Sequence, residues 1–331
     1  MIFRVLPKML LGREERVPRQ PLGPFRTDSS IYATAPASGL RVTWFGHSSS
    51  LVEIDSLHIL IDPVWDERAS PLTWAGPKRF FPPTLPLEEM PPLHAVLISH
   101  DHFDHLGERT VRQLASLQPS ARWITSLGVG AILQRFGVAA NRITELDWTG
   151  SAQIEGVDGA SCRITSVPAR HFSGRNASNR FQTLWASFVL RTASHNIYYG
   201  ADSGLWEGFL EIAAAHGPFD LTMLEIGAYD DLWKHIHMGP DGAAEAFRVL
   251  GGAGLLMPIH WGLFNLALHA WRHPMERLTQ LADADGLHLW SPAPGQPSEV
   301  LRGVEMRSEW WRLAQSNTSP SEDILPLAVR K

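Results

Sequence analysis

Three histidines and two aspartates lie within residues 99–105 of this chain. The run directly follows an apolar, strand-like segment, Ala95–Ile98. Neutral imidazoles and ionised carboxylates are the side chains that bind zinc and other divalent first-row metals. The pattern His-x-His-x-Asp-His offers more ligands than one tetrahedral ion can use, so it predicts two metal sites. The ligands predicted in this run are His100, His102, Asp104 and His105.

Three later segments share another pattern, an apolar strand-like stretch that ends in a potential ligand. These ligands are His171, Asp202 and His260. Side chains at strand ends are held by rigid elements, as a preorganised site requires. We expect one metal to be bound by His100, His102 and His171. We expect the second to be bound by Asp104, His105 and His260, with Asp202 bridging both. Each metal then keeps an open coordination position, which indicates a catalytic site.

The composition is that of an ordinary folded protein with a substantial core. The 331 residues are 44% hydrophobic and 19% charged, enough for one large domain or two small ones. A net charge of -5 gives no electrostatic reason to expect nucleic acid as a partner. Cys162 is the only cysteine, which excludes an intrachain disulfide and thiolate zinc sites. Trp44, Trp233 and Trp261 lie close in sequence to histidines and suit a site with apolar walls.

Short strand-like runs alternate with helix-like runs after residue 40, which predicts two packed sheets with helices outside. We predict an N-terminal arm over 1–40, a main domain over 41–290 that carries the metal site and a tail over 291–331 with one short helix at 304–313. The predicted strands are 41–45, 51–54, 58–61, 95–99, 162–167, 185–190, 196–200, 221–225 and 254–258. The predicted helices are 107–117, 129–136, 205–216, 241–250 and 274–283.

The sequence contains no apolar stretch long enough to cross a bilayer and no recognisable export signal, so we expect a cytoplasmic protein. Residues 1–20 mix apolar and basic side chains around Pro7. Such a segment either packs on the domain as an arm or rests on an anionic membrane surface, which would make the protein peripheral at the inner membrane.

The ordered ligand set resembles that of the metallo-β-lactamase superfamily, whose fold is a four-layer αββα sandwich. Further segments resemble one branch, N-acyl-phosphatidylethanolamine-hydrolysing phospholipase D and its bacterial relatives. These segments include 42–47, 76–80, 145–148, 217–221, 226–229 and 259–262. The resemblance implies two zinc ions and hydrolysis of a lipid or small-molecule phosphodiester. Iron and manganese also suit mixed nitrogen and oxygen ligands.

Two metals can share a bridging hydroxide that attacks phosphorus, and Asp104 could orient it as well as bind metal. His237 matches a position that the branch keeps near the metals, so the resemblance gives it a role as proton donor or substrate-orienting residue. A loop histidine bonded to backbone is the alternative reading of its spacing. The resemblance also places His47 beside a metal ligand as a hydrogen-bond partner.

Three cationic side chains could contact a phosphate through charge-assisted hydrogen bonds, although each is also a candidate for an ordinary surface charge. They are Arg175, Lys78 and Arg79. Phe103 stands where members of the branch carry an aromatic residue, and it keeps the ring without a tyrosine hydroxyl.

Two other functions fit the same residues. A lactonase or another carboxylic-ester hydrolase would use the same hydroxide against a carbonyl carbon. A regulatory protein could keep the metals without useful catalysis. The sequence leaves the oligomeric state and the exact substrate open.

Overall fold

The computed structural model describes residues 12–156, 159–176 and 178–313. Two sheets of seven and six strands form its centre. The strands are β1 (Leu40–Gly46), β2 (Ser49–Ile54), β3 (Leu57–Ile61), β4 (Ala95–Ile98), β5 (Arg122–Ser126), β6 (Ile143–Leu146), β7 (Ser151–Glu155), β8 (Ser161–Val167), β9 (Ser187–Arg191), β10 (Asn196–Tyr199), β11 (Leu221–Glu225), β12 (Leu255–Ile259), β13 (Trp290–Ser291), β14 (Ser298–Glu299) and β15 (Met306–Arg307).

Most of the helices connect consecutive strands that pair in parallel. They are α1 (Glu108–Leu117), α2 (Gly130–Arg135), α3 (Gly208–His216), α4 (Gly239–Val249), α5 (His273–Asp285) and α6 (Trp310–Leu313). Short 3-10 helices span Ser29–Ala33, Leu87–Glu89 and Ala140–Arg142. Among the described residues, no helix is both long and apolar enough to cross a membrane.

Both sheets combine antiparallel and parallel pairing. The first has the order β14-β1-β2-β3-β4-β5-β6, with antiparallel pairs up to β3 and parallel pairs from β3 to β6. The second has the order β12-β11-β10-β9-β8-β7, with antiparallel pairs from β7 to β10 and parallel pairs from β10 to β12.

Side-chain alternation in the buried strands separates two apolar layers. In β4, Leu97 belongs to the core between the sheets, whereas Val96 packs with Val111 of α1 in a second core. In β10, the Tyr198 ring lies 6.4 Å from that of Phe209 in α3, on the outer side of the second sheet. Strands covered on both faces read as continuous apolar runs. The layer order helix, sheet, sheet, helix confirms the predicted αββα fold.

All nine predicted strands and all five predicted domain helices are present, most of them with shifted ends. The prediction missed β5, β6 and β7 and the two-residue strands β13, β14 and β15. The helix predicted over 304–313 is wrong for 304–309, because β15 lies there and pairs with β13. Met306 N donates to Leu289 O and Ser308 N to Ser291 O, so these groups serve a strand ladder instead of a helix.

Residues on both sides of the predicted 41–290 domain pack against it. Leu22 is buried in the core between the sheets, and Thr27 N donates to Thr84 O at 2.9 Å. After residue 290, β14 pairs with β1, and Trp310 and Trp311 are buried. Residues 1–11 of the predicted arm and 314–331 of the predicted tail lie outside the described residues. The domain limits stay a prediction.

Candidate metal centre

The loops that carry the candidate ligands follow the carboxyl ends of strands in both sheets. Strands β10, β11 and β12 are parallel, and β8 runs in the same direction because both β8 and β10 are antiparallel to β9. In the first sheet, β3 and β4 are parallel. Loops at the carboxyl ends of such strands meet at one edge of a sheet. This topology brings together residues separated by up to 160 positions.

Left-handed backbone at this edge helps to aim the side chains. His47, Asp62, Ala201 and His260 have φ values of 55°, 38°, 47° and 60°. Such values are uncommon for residues other than glycine, and they cluster at functional sites. His260 N donates to His47 O at 2.9 Å, and His47 N donates to Trp261 O at 3.2 Å. These hydrogen bonds join the loop after β12 to the turn between β1 and β2.

The first donor set consists of three imidazoles and one carboxylate, namely His100, His102, His171 and Asp202. His102 Nδ1 lies 2.9 Å from His100 Nε2 and 3.2 Å from His171 Nε2. Asp202 Oδ2 lies 3.7 Å from His100 Nε2 and 3.6 Å from His171 Nε2. Ligand atoms at tetrahedral zinc distances are about 3.3 Å apart, so this spacing suits one shared ion.

The second donor set consists of His47, Asp104, His105 and His260. Asp104 Oδ2 lies 2.9 Å from His47 Nε2, 3.2 Å from His260 Nε2 and 3.6 Å from His105 Nε2. These distances are again those of atoms that surround one ion. The structure therefore places His47 directly beside Asp104, as a hydrogen-bond partner or as a further donor.

Asp202 faces both donor sets. Its Oδ1 lies 3.2 Å from His105 Nε2, and its Oδ2 lies 3.1 Å from His260 Nε2 as well as near the imidazoles of the first set. The structure thus brings all seven predicted ligands together, with one carboxylate between the two groups of histidines.

The chemistry of the donors fits a bound cation. His105 Nε2 and Asp202 Oδ1 are buried and make no hydrogen bond within the described residues, although they face each other. Burial is the largest influence on the pKa values of Asp104 and Asp202 and opposes ionisation. The neighbouring imidazoles, His105 first among them, outweigh burial and hold both pKa values well below the usual range. Ionised carboxylates of this kind are strong metal ligands.

The imidazoles divide into two electrostatic groups. Burial lowers the pKa of His100 and His171 well below the ordinary value, which keeps them neutral and able to bind metal. Burial also acts against protonation of His260, but Asp202 and Asp104 outweigh it and raise its pKa to about 10. The raised pKa reflects the negative potential that Asp104 and Asp202 create at His260, and the same potential favours a bound cation.

Two histidine ligands are oriented by a hydrogen bond at Nδ1, the ring nitrogen that does not face the donor sets. His171 Nδ1 donates to Ile236 O at 2.9 Å. His105 Nδ1 donates to Asp62 Oδ2 at 2.7 Å, and Asp62 Oδ1 accepts from Ser99 N at 2.7 Å. Asp62 is not among the residues predicted from the sequence to belong to the site. Its position directly after the apolar strand β3, like that of the predicted ligands after their strands, is the signal that could have indicated one.

His237 lies against the ligand histidines. Its ring is 5.2 Å from that of His260 at an interplanar angle of 23°, and 5.0 Å from the His171 ring. Its Nδ1 lies 2.6 Å from Oε2 of the fully buried Glu225. Burial raises the pKa of Glu225, partly offset by His237. Glu225 is the last residue of β11 and, like the predicted ligands, stands at the end of an apolar strand. No role was predicted for it from the sequence.

Arg175 and Phe103 form a pair at the metal-binding loop. Arg175 Nη1 donates to Asp101 O at 2.7 Å and to Leu106 O at 2.8 Å, and its guanidinium carbon lies 3.8 Å from the Phe103 ring centre. These contacts hold both ends of the loop that carries four predicted ligands. Phosphate contact by Arg175 stays a prediction.

Lys78 and Arg79 have other partners. The exposed Lys78 Nζ pairs with Glu67 at 2.9 Å. The buried Arg79 donates to Phe81 O at 2.8 Å and to Trp65 O at 3.1 Å. These hydrogen bonds hold the Arg79 side chain against loop backbone. Arg79 therefore positions the segment before residue 81.

Comparison with known proteins agrees with this geometry. The model of the beta-lactamase superfamily domain matches residues 58–261, which include every predicted ligand. An uncharacterised protein of Mycobacterium tuberculosis is 44% identical over 296 residues, covering 89% of this chain and 77% of that protein. The N-acyl-phosphatidylethanolamine-hydrolyzing phospholipase D 1 of Caenorhabditis elegans is 34% identical over 254 residues, covering 75% of this chain and 71% of that enzyme.

A solved metallo hydrolase from the archaeon Ignicoccus hospitalis has the same fold, with a TM-score of 0.57 at 22% identity over 78% of this chain and 97% of that structure. The family match and the two relatives go beyond the fold, because they cover most of the chain and the whole set of candidate ligands. The chain belongs to the metallo-β-lactamase superfamily of metal-dependent hydrolases.

Proposed function

We propose that the protein is a dinuclear zinc phosphodiesterase of phospholipase D type. The observation that carries the proposal is the position of the Asp202 carboxylate between the two donor sets, with Oδ1 near His105 and Oδ2 near both His171 and His260. A pair of adjacent cations suits a phosphodiester, because it can stabilise charge on the attacking and the departing oxygen. The similarity to the Caenorhabditis elegans phospholipase supports this reaction class.

The metals, when bound, would supply Lewis acidity toward phosphate oxygens and lower the pKa of coordinated water. His102 and Asp104 are partly exposed whereas His100, His105 and His260 are buried, so substrate can approach from the side of the metal-binding loop.

His237 is placed to handle a proton beside this opening. The Glu225 carboxylate accepts from its Nδ1, which fixes the ring and leaves Nε2 to give or take a proton. Asp104 Oδ2 lies 2.9 Å from His47 Nε2 and 3.2 Å from His260 Nε2, which places its carboxylate at the centre of the second donor set.

The direct test is a substrate panel with metal analysis of the purified full-length protein. We expect two equivalents of zinc, turnover of N-acyl-phosphatidylethanolamine or simpler phosphodiesters, and no opening of acyl or sugar lactones. Asp202→Asn should lower bound metal and abolish turnover. Glu211→Gln, on the exposed face of α3, is the matched control and should keep both.

Lactone opening without phosphodiester hydrolysis would contradict the proposal and favour the carboxylic-ester alternative. Loaded protein that turned over nothing in the panel would also contradict it. One equivalent of metal would contradict the dinuclear part alone.

A further inference from the structure

A cavity of about 680 Å³ lies beside the metal-binding loop and is lined by an unusual number of arginines. They are Arg68, Arg109, Arg112, Arg135 and Arg175. Only two acidic residues, Asp66 and Glu108, line the same cavity, so its formal charge is +5 − 2 = +3. The whole chain carries -5. We call this feature the arginine cavity.

One of the two carboxylates is hydrogen-bonded to a helix terminus, and the other pairs with one of the five arginines. Asp66 Oδ2 accepts from Thr110 N at 3.1 Å and from Thr110 Oγ1 at 2.6 Å, at the start of α1. Its charge is therefore directed toward the helix terminus. Glu108 pairs with Arg112 at 2.7 Å. Among the described residues, no carboxylate lies within ion-pair distance of the other four guanidinium groups.

These four guanidinium groups differ in how many of their N–H donors already form hydrogen bonds. Arg68 Nη1 donates to Gly76 O at 2.6 Å, but its Nε is buried without a hydrogen-bond partner. Arg175 uses only Nη1 for its two backbone carbonyls. The side chains of Arg109 and Arg135 form neither a hydrogen bond nor an ion pair with any part of the chain that the structure describes. The cavity thus offers several free donors in one place.

The arginine cavity adjoins the metal centre through one side chain. Phe103 lines the cavity and lies in the chain between two predicted ligands, His102 and Asp104. Arg175 stacks on the Phe103 ring and holds the same loop by its backbone. A ligand in the cavity would therefore adjoin the loop that carries four of the predicted metal ligands.

We propose that the arginine cavity binds a phosphate-type anion. The planar guanidinium fork matches phosphate oxygens, and several unpaired forks around one space favour a multiply charged group. The volume is within the range of small-molecule sites and exceeds what a single phosphate needs, so the anion belongs to a larger group. Its source is either a second phosphate on the substrate or a free phosphate compound.

Calorimetric titration of the metal-loaded, full-length protein with pyrophosphate tests the binding. We expect Arg109→Gln with Arg135→Gln to weaken pyrophosphate binding about tenfold or more. Neither residue belongs to the donor sets, so pyrophosphate bound by metal contributes equally to wild type and variant. The control is Arg163→Gln, which removes an exposed arginine from β8 and should change the Kd by less than about twofold.

Equal Kd values in wild type, double variant and control would overturn the proposal. So would an equal loss in the double variant and in Arg163→Gln, because that result reflects net charge alone. This arm requires no turnover, so it stands or fails independently of the proposed phosphodiesterase activity.

A second experiment identifies the source of the phosphate-type anion, and it rests on the proposed function. It compares kcat/KM for a phosphodiester with and without an additional phosphate monoester, in wild type and in the double variant. We compare the kcat/KM with the additional monoester to the kcat/KM without it. If this ratio is about tenfold lower in the double variant, because KM for the monoester-bearing substrate rises, the anion is a phosphate on the substrate. An unchanged ratio together with lost pyrophosphate binding indicates a free phosphate compound.

Discussion

His105 Nδ1 lies 2.7 Å from Asp62 Oδ2, and both side chains are fully buried. The imidazole comes from the loop after β4 and the carboxylate from the residue after β3, so two neighbouring parallel strands fix one ligand. The same carboxylate also accepts from Ser99 Oγ and from Tyr199 Oη of the opposite sheet. Asp62 therefore couples the position of His105 to the packing of both sheets.

Replacing Asp62 tests this coupling. We expect Asp62→Asn to weaken metal binding by about 10- to 100-fold, because His105 loses its charged acceptor. Titration with zinc against a chelating dye measures the affinity, and circular dichroism reports whether the protein is folded. Tyr199→Phe is the milder control, since it removes one donor to Asp62 and leaves His105 in place. Equal metal affinity in Asp62→Asn and wild type would contradict the coupling.

His237 offers a second test, with catalysis and metal content read separately. We expect His237→Gln to lower kcat by roughly 10²- to 10⁴-fold with unchanged bound metal, as for loss of a general acid or base. Glu225→Gln should give a smaller loss and a shifted pH profile, because the amide still accepts from His237 without its charge. Metal lost from His237→Gln would instead identify His237 as a ligand.

Arg175 tests the hold on the metal-binding loop. Lysine keeps the charge but cannot match the two carbonyls of Asp101 and Leu106 or stack on Phe103 in the same way. We expect Arg175→Lys to lower the free energy of unfolding by about 1–3 kcal/mol, measured by urea denaturation. An unchanged midpoint, compared with Arg163→Lys as control, would show that these contacts do not stabilise the fold.

The buried Glu53 predicts acid sensitivity. Burial alone would raise its pKa, but hydrogen bonds from His58 and Arg41 lower it below the ordinary value. The unfolded chain therefore binds the proton more readily, so the stabilisation is present above the unfolded pKa of about 4.3 and lost as pH falls further. Glu53→Gln should cost about 3–5 kcal/mol at pH 7 and less at pH 3.

Urea denaturation of wild type and Glu53→Gln at several pH values measures this difference. Glu211→Gln, which changes an exposed carboxylate, should keep the wild-type pH dependence. A gap between wild type and Glu53→Gln that stayed constant from pH 7 to pH 3 would contradict the argument.

The strands and helices that sequence patterns predicted are those with continuous or periodic apolar residues. The strands β6 and β7 were missed because they lie at the edges of their sheets, where only one residue of each strand is buried and the apolar pattern is weak. The helix predicted over 304–309 failed because strand pairing with β13 outweighed local helix preference.

The sequence by itself determined the ligand types, because a dense run of histidine and aspartate and three strand-end ligands are local features. It also carried the resemblance to the metallo-β-lactamase superfamily. Only the tertiary structure decided which atoms face one another. Asp62, Glu225 and the arginine cavity depend on contacts between segments far apart in the chain. Such contacts follow from the direction and order of strands, and spacing along the sequence does not encode them.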